Sequence, residues 1–334
     1  MHPAGRARRV PRPTAVVVVV SAALVALAGC GSASESSSGS PAGPSGVGSS
    51  AAAGSGSASG CAGTTTVGAE GASLLPVPPA AVTLEDPGAA PQAALTGTPD
   101  RTTAQQVSLR VVSSSTTARA GDQPSSSTQD VTLPLTARVA CTDPTDVELD
   151  LGRPSSPDTG LAGSLAAVAG SRAGLAVTTG SVPVSLRLLP AAGADDAARA
   201  AIEQTMISAL QRSVSLPTQP VGIGARWRAV RTIDGAATVT QTLTATLRAR
   251  TGSRLTLDVT VDETPVSSTF TVPGQGQQLT IDSFTFAGSG TLDVDLTRGL
   301  PVSGSLSVSG GRTLVGDDPA RPLVQRTSLA VTWS

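Results

Sequence analysis

The sequence lacks lysine, asparagine and tyrosine, and its one histidine is His2. All 23 basic residues are therefore arginine. Without lysine, and without histidine beyond residue 2, the folded part cannot build a Ser-His-Asp or Cys-His nucleophile, a Schiff-base lysine or a histidine metal site. We therefore expect a binding or structural protein that is not an enzyme and carries no cofactor.

Charge and aromatic content are also low. The formal net charge is −1, and only 1% of the residues are aromatic. The arginines are scattered rather than clustered, whereas nucleic-acid binding needs a concentrated basic face. Platforms for sugar rings are usually aromatic, so a glycoside-hydrolase cleft is also disfavoured. Nucleic acid is not an expected partner.

The N-terminus indicates export. Four arginines and no acid precede an apolar run over residues 15–26, which is too short for a comfortable membrane span. The following Leu27-Ala28-Gly29-Cys30 resembles the lipobox of bacterial lipoproteins. The resemblance implies that residues 1–29 are a signal peptide and that Cys30 is diacylated. The protein would then be anchored in the cell membrane at its extracytoplasmic face. The alternative is an ordinary secreted protein with an accidental cysteine.

The next segment has the composition of a tether. Residues 31–60 are almost entirely Gly, Ser, Ala and Pro, which cannot bury enough apolar surface to offset the entropy of ordering. We expect Cys30 and this disordered tether to occupy residues 30–60, and one β-rich domain to occupy residues 61–334. Cys61 and Cys141 remain as an even pair, and in an oxidising compartment they would form a disulfide. Two independent buried thiols are the alternative.

Period-2 alternation dominates beyond residue 100 and predicts strands with one apolar face and one Thr/Ser/Asp/Arg face. Between residues 193 and 216 the period changes, and Asp195-Asp196 can cap a helix with a stripe that includes Ile202, Met206 and Leu210. The predicted fold is α+β and mostly β. We expect a curved antiparallel sheet, a half-barrel or open barrel of about 10–12 strands, wrapped over one main helix.

A Pro-Val-Gly-x-Gly-x-x-Trp motif spans residues 220–227 and joins the helix to the next strand. The motif and its surroundings resemble an uncharacterised family of secreted β-rich bacterial proteins, which implies a fold and no activity. The overall layout resembles the LprG/LppX lipoproteins and LolA-type carriers, half-barrels that enclose acyl chains. This likeness implies an apolar cavity for a hydrophobic ligand or lipid. Its expected lining or mouth comprises Ile202, Met206, Leu210, Trp227, Phe284 and Phe286. The alternative is that the motif ending in Trp227 is a structural corner and that Phe284 and Phe286 belong to the core.

The densest acidic stretch is residues 143–150, in which Asp146, Glu148 and Asp150 would share one strand face. Such oxygens suit calcium, although dedicated calcium loops also turn on glycine and add carbonyl ligands. A solvated strand face is the expected reading, with no metal site. The leading functional hypothesis is a lipid-anchored protein that binds a hydrophobic ligand. Its rival is a structural or accessory envelope lipoprotein that binds an unknown partner protein and has no cavity.

Overall fold

The computed structural model describes residues 60–178 and 180–334. The expected signal peptide, Cys30 and nearly all of the tether lie outside these residues. Within the described ranges, no helix combines the length and apolarity needed to cross a membrane.

Strands make up most of the described structure, and all of them belong to one sheet. The strands are β1 (Ser73–Pro76), β2 (Ala81–Asp86), β3 (Gln105–Arg119), β4 (Ser125–Val139), β5 (Asp146–Leu151), β6 (Arg172–Thr178), β7 (Val182–Leu189), β8 (Arg226–Ile233), β9 (Val239–Thr251), β10 (Arg254–Pro265), β11 (Thr269–Thr271), β12 (Gln278–Asp295), β13 (Ser303–Val315) and β14 (Leu323–Trp333). The helices are α1 (Thr159–Leu165), followed by a 3-10 turn (Ala166–Val168), and α2 (Asp196–Leu210).

The sheet is antiparallel throughout and open. Its order is β1-β7-β6-β5-β4-β3-β14-β13-β12-β10-β9-β8-β2, with β11 paired to β12 at the side. In the described part of the chain the edge strands β1 and β2 do not pair with each other, so the sheet does not close. The predicted mostly-β architecture is confirmed. The strand number exceeds the expected range because β1, β2 and β11 are too short to show a clear alternation.

Alternation determines which side chains enter the core, as β4 illustrates. Val131, Leu133 and Leu135 are at most 2% exposed, whereas Thr132 and Thr136, at the alternate positions, face the other way and are only partly buried. We call the side of the sheet that carries such apolar residues and packs with α2 the inner face. The opposite side is the outer face. Val, Leu and Ala from strands on both sides of β14 join α2 in one main core cluster.

The main helix begins where expected and ends earlier. The Asp195 side chain accepts a hydrogen bond from the Ala198 backbone N–H at 2.8 Å, which satisfies a free donor of the first turn. The helix stops at Leu210 rather than continuing toward Pro217, and the chain beyond it runs on as a segment without regular structure. The helix packs against α1 and, within the sheet, chiefly against β3, β4 and β7.

Candidate functional site

The residues expected to line a ligand cavity divide between two core clusters. Ile202, Met206 and Leu210 of α2 and Trp227 of β8 are buried together in the main cluster. Phe286 is half-buried against the same cluster, but Phe284 packs against a second cluster that includes Phe270 and Leu314. The structure therefore brings five of the six together. Whether they line a ligand cavity remains a prediction.

The glycine motif forms a corner held to residues 87–93. Val221 and Ala93 exchange two backbone hydrogen bonds of 3.0 Å, and the Gly222 N–H donates to the Pro87 carbonyl at 2.8 Å. A Cβ on Gly222 would lie 1.7 Å from the Ala89 carbonyl oxygen, so only glycine fits. Gly224 has φ +85°, and Trp227 then enters the core, where its indole N–H donates to the Ser215 carbonyl at 2.8 Å.

The segment that begins at Cys61 is attached to the chain just after the end of β4. The sulfur atoms of Cys61 and Cys141 lie at disulfide distance, 2.02 Å, and their Cα atoms are 5.1 Å apart. Ala62 forms a parallel bridge with Ala140, in which its N–H donates to the Val139 carbonyl at 2.9 Å. The structure thus places this cysteine pair where the sequence predicts it.

The acidic stretch lies under this fastened segment. Asp146 and Glu148 are about 5% exposed, and each forms an ion pair with Arg187 on the outer face. Thr66 donates to one Glu148 oxygen through its backbone N–H at 2.7 Å and its hydroxyl at 2.9 Å. Arg172 pairs with the other Glu148 oxygen at 3.2 Å. We call Thr66, Asp146, Glu148, Arg172 and Arg187 the outer charge cluster.

The expected solvated strand face is therefore wrong for two of its three carboxylates. Asp150 is 55% exposed and pairs with Arg138, but Asp146 and Glu148 are covered by residues 61–67 and neutralised by arginine. The sequence pattern identifies the shared face but not its cover, because the covering residues are about 80 positions away. Within residues 60–178 and 180–334, no group of three or more His, Cys, Asp or Glu is arranged to hold a metal ion.

A second set of polar side chains crosses the inner face. Arg231 of β8 lies directly opposite Gln241 of β9, which lies opposite Glu263 of β10. All three point inward, and the Gln241 amide donates to Glu263 Oε1 at 3.0 Å. Gln241 is fully buried and Arg231 is 3% exposed.

The end of α2 adds a second arginine to these three residues. The Arg212 side chain donates to the Ser208 carbonyl at 3.2 Å and pairs with Glu263 Oε1 at 3.4 Å. Its guanidinium also lies 6.0 Å from the centre of the Phe286 ring. Arg231 donates to the carbonyls of Leu210 and Ser213, at 3.4 and 3.3 Å, so both cations face the negative end of the helix dipole. We call Arg212, Arg231, Gln241 and Glu263 the inner polar group.

The inner polar group has unequal charge. The group holds two guanidinium groups and one carboxylate, which pairs with Arg212, and the Nε atoms of both arginines have no hydrogen-bond partner although they are buried. The Ser215 hydroxyl and the Gln241 carbonyl oxygen nearby are also without partners. Burial, reinforced by the positive charge of Arg212, lowers the pKa of Arg231 to about 10. Burial also lowers the pKa of Arg212, and Glu263 partly opposes this effect.

The inner polar group was not predicted from the sequence, although the alternation of apolar and polar residues along the strands contains a signal for it. Arg231 is in register with Trp227 and Ala229, so the period-2 rule already places a charged side chain on the apolar face of β8. Glu263 follows Val259 and Val261 in the same way. A charge at an inward position is the informative exception.

The outer face has a polar depression. A groove of about 520 Å³ lies across β3, β14, β13 and β12. Its lining consists of Ser114, Thr116, Thr285, Ser309, Gly310, Gly311, Arg326, Thr327 and Ser328. None of these residues was expected to contact an apolar ligand, and the groove is separate from the inner polar group.

No known family model matches the chain. No curated protein matches it either.

Proposed function

We propose that this protein is a membrane-anchored, extracytoplasmic lipoprotein that binds a hydrophobic ligand such as a lipid at the inner face of its sheet. The lipobox-like Leu27–Cys30 sequence and the tether-like composition after it support the anchoring. Binding rather than catalysis is favoured because the chain has no lysine and no histidine beyond His2.

One observation carries the ligand part of the proposal. The inner face presents consecutive rows of aliphatic side chains, such as Ala229, Leu243 and Val261, while α2 packs against α1 and, within the sheet, chiefly over β3, β4 and β7 at one side. These aliphatic rows lie next to a single long helix. Acyl chains could bind along the rows by replacing some of the contacts between side chains.

A specific observation favours the rival role as a partner-binding lipoprotein without a cavity. Ile202, Met206 and Trp227 are at most 3% exposed and pack into one cluster. A filled core needs no ligand. The two roles differ in whether the purified protein carries lipid.

The experiment uses the full-length protein, expressed in a host that exports and lipidates it and then purified in a mild detergent. Native mass spectrometry should show an acyl lipid bound in addition to the covalent anchor, and organic solvent should remove only the bound lipid. A spectrum with the lipidated polypeptide alone would support the rival. In parallel, Cys30→Ala should abolish detergent-phase partitioning, and unchanged partitioning would refute the anchor.

A paired substitution localises the ligand. Met206→Trp enlarges an inward side chain of α2, whereas Ala200→Trp makes a similar change at an exposed position of the same helix. We expect the first variant to lose bound lipid and the second to retain it. Circular dichroism confirms that both are folded, and equal lipid content in the two would place the ligand elsewhere.

A further inference from the structure

The inner polar group lies near one end of the inner face, where one more row, Ile233, Val239 and Pro265, completes strands β8, β9 and β10. The next inward row of the same three strands is Ala229, Leu243 and Val261, and the row after it is Trp227, Ala245 and Val259. All six residues are at most 2% exposed. A row of polar side chains therefore lies directly beside two rows of apolar side chains. A ligand with a polar head group and an apolar chain has a matching arrangement.

The charge of the group is not balanced from within the protein. Glu263 is its single carboxylate, and Arg212 and Arg231 together carry one positive charge more than Glu263 neutralises. Burying an unpaired cation is costly, and proteins normally compensate it with a carboxylate or an anion. Carbonyls of α2 accept some of the guanidinium hydrogen bonds, but these partners are dipoles and do not remove the net charge.

The unpaired hydrogen-bond donors indicate which kind of ligand would bind to the inner polar group. Both Nε–H groups are buried without acceptors. An oxyanion accepts several such hydrogen bonds at once and supplies the missing negative charge. The unpaired Gln241 carbonyl oxygen could accept from a water or hydroxyl next to the anion.

From this geometry we infer that Arg212 and Arg231 bind the anionic head group, a carboxylate or a phosphate, of an acyl ligand whose chain lies along the inner face. The inference rests on the proposed lipid-binding function and specifies its ligand class. The lowered pKa of both arginines is caused mainly by burial, which agrees with the cost of placing two cations in this group. The group on the protein is the same whether the anion belongs to a fatty acid or to a phospholipid.

The test compares charged and neutral ligands with equal chains on the full-length lipidated protein in detergent, after removal of endogenous lipid. Native mass spectrometry would measure the binding of oleate and of dioleoyl phosphatidic acid against oleyl alcohol and dioleoylglycerol. We expect each anion to bind about tenfold or more tightly than its neutral counterpart, a difference of about 1.4 kcal/mol. Tighter binding of oleate identifies a fatty-acid carboxylate, and tighter binding of phosphatidic acid identifies a phospholipid phosphate.

Three variants separate head-group recognition from a structural role. Arg231→Gln should lower anion affinity about tenfold and leave the affinity for the alcohol unchanged. Arg228→Gln, on the outer face of the same strand, is the matched control and should change neither affinity. Glu263→Gln keeps an acceptor oxygen but removes the competing charge, so it should bind oleate about threefold or more tightly.

The outcomes separate the two proposals. If neutral and anionic ligands bind equally, and Glu263→Gln has no effect on the anion, the head-group inference is wrong while the lipid-binding function stands. If none of the four ligands binds, both are wrong. Should Arg231→Gln fail to fold, the sign of the Glu263→Gln effect still decides, because a purely structural ion pair predicts no gain in affinity.

Discussion

The outer charge cluster and the inner polar group contain the same residue types in opposite balance. On the outer face, Arg172 and Arg187 pair with two buried carboxylates, Asp146 and Glu148, and Arg172 also lies 3.9 Å from the exposed Asp150. Among the described residues, no buried side-chain atom of that cluster lacks a hydrogen-bond partner. On the inner face, Arg212 pairs with the one carboxylate, Glu263, Arg231 bonds only to backbone carbonyls, and both arginines leave a donor unused.

The difference separates a structural role from a binding role. A balanced, fully hydrogen-bonded cluster fixes residues 61–67 against β5 and leaves nothing to attract a ligand. The excess positive charge of the inner polar group lowers the stability of the folded protein, and a bound anion would reduce this electrostatic cost. Each prediction below changes one side of this comparison, in order of decreasing expected effect.

The largest effect concerns the fastening of the outer segment. Replacing Cys61 and Cys141 with serine removes a covalent link across 80 residues, and chain-entropy arguments assign about 4 kcal/mol of unfolding free energy to a loop of this size. Denaturant unfolding followed by the fluorescence of the buried Trp227 and Trp333 would measure the loss. Reduced wild type should unfold like the double variant. A mass-spectrometric digest containing two freely alkylated cysteines would show that no disulfide exists.

The second prediction breaks the balance of the outer charge cluster. Glu148→Gln leaves Arg172 and Arg187 with one carboxylate fewer, and losing one partner of a buried ion pair should cost about 3 kcal/mol. The matched control is Asp150→Asn on the same strand, whose exposed pair should contribute less than about 0.5 kcal/mol. Equal effects of the two variants on the denaturation midpoint would contradict the assignment of Glu148 as the structural centre of the cluster.

The third prediction makes the inner polar group still more unbalanced. Glu263→Gln removes its one negative charge, so unfolding free energy should fall by about 1–2 kcal/mol in the absence of ligand. Oleate should then stabilise this variant more than wild type, because binding relieves a larger charge imbalance. Thermal unfolding with and without oleate measures both quantities. A smaller oleate effect in the variant than in wild type would contradict the comparison.

Sequence alone predicts the regular parts of the fold because they follow from local periodicity. The alternation in β4 and the capped helix after Asp195 are visible within about fifteen residues, and the structure confirms both. Strands such as β1 and β2 are missed because they are short, and their places at the edges depend on pairing with distant partners.

The candidate sites were less predictable because they depend on contacts between distant segments. The Thr66 bonds to Glu148 join residues 82 positions apart, and no local pattern indicates that cover. The inner polar group is different. Arg231, Gln241 and Glu263 each stand at an inward position that periodicity could have identified, but their alignment in one row depends on the register between β8, β9 and β10.

The smallest effect is expected when the unbalanced group loses its excess charge. Arg231→Met removes two hydrogen bonds to the carbonyls of Leu210 and Ser213, but it also removes a buried cation. These contributions oppose each other, so unfolding free energy at pH 8 should change by less than about 1 kcal/mol. A loss as large as that expected for Glu148→Gln would mean that Arg231 is as fully compensated as the outer arginines.

The pH dependence of the same pair tests the origin of that small effect. The groups facing Arg231 are Arg212 from the end of α2, Gln241 and Glu263, and burial is the main cause that lowers the pKa of Arg231 to about 10. Below pH 10 the folded protein bears the full cost of the buried charge. Between pH 10 and the higher pKa of arginine in the unfolded chain, the unfolded chain binds more protons than the folded protein, so stability increases as pH rises. Wild type should therefore gain about 2 kcal/mol relative to Arg231→Met between pH 9 and 11.5.

Subtracting the unfolding free energy of the variant from that of wild type removes the effects of groups common to both proteins. These groups include Arg312, whose pKa burial also lowers to about 10. Saturating oleate should abolish the gain, because a bound anion keeps Arg231 protonated. A flat difference across this range without ligand would show that Arg231 bears no uncompensated charge.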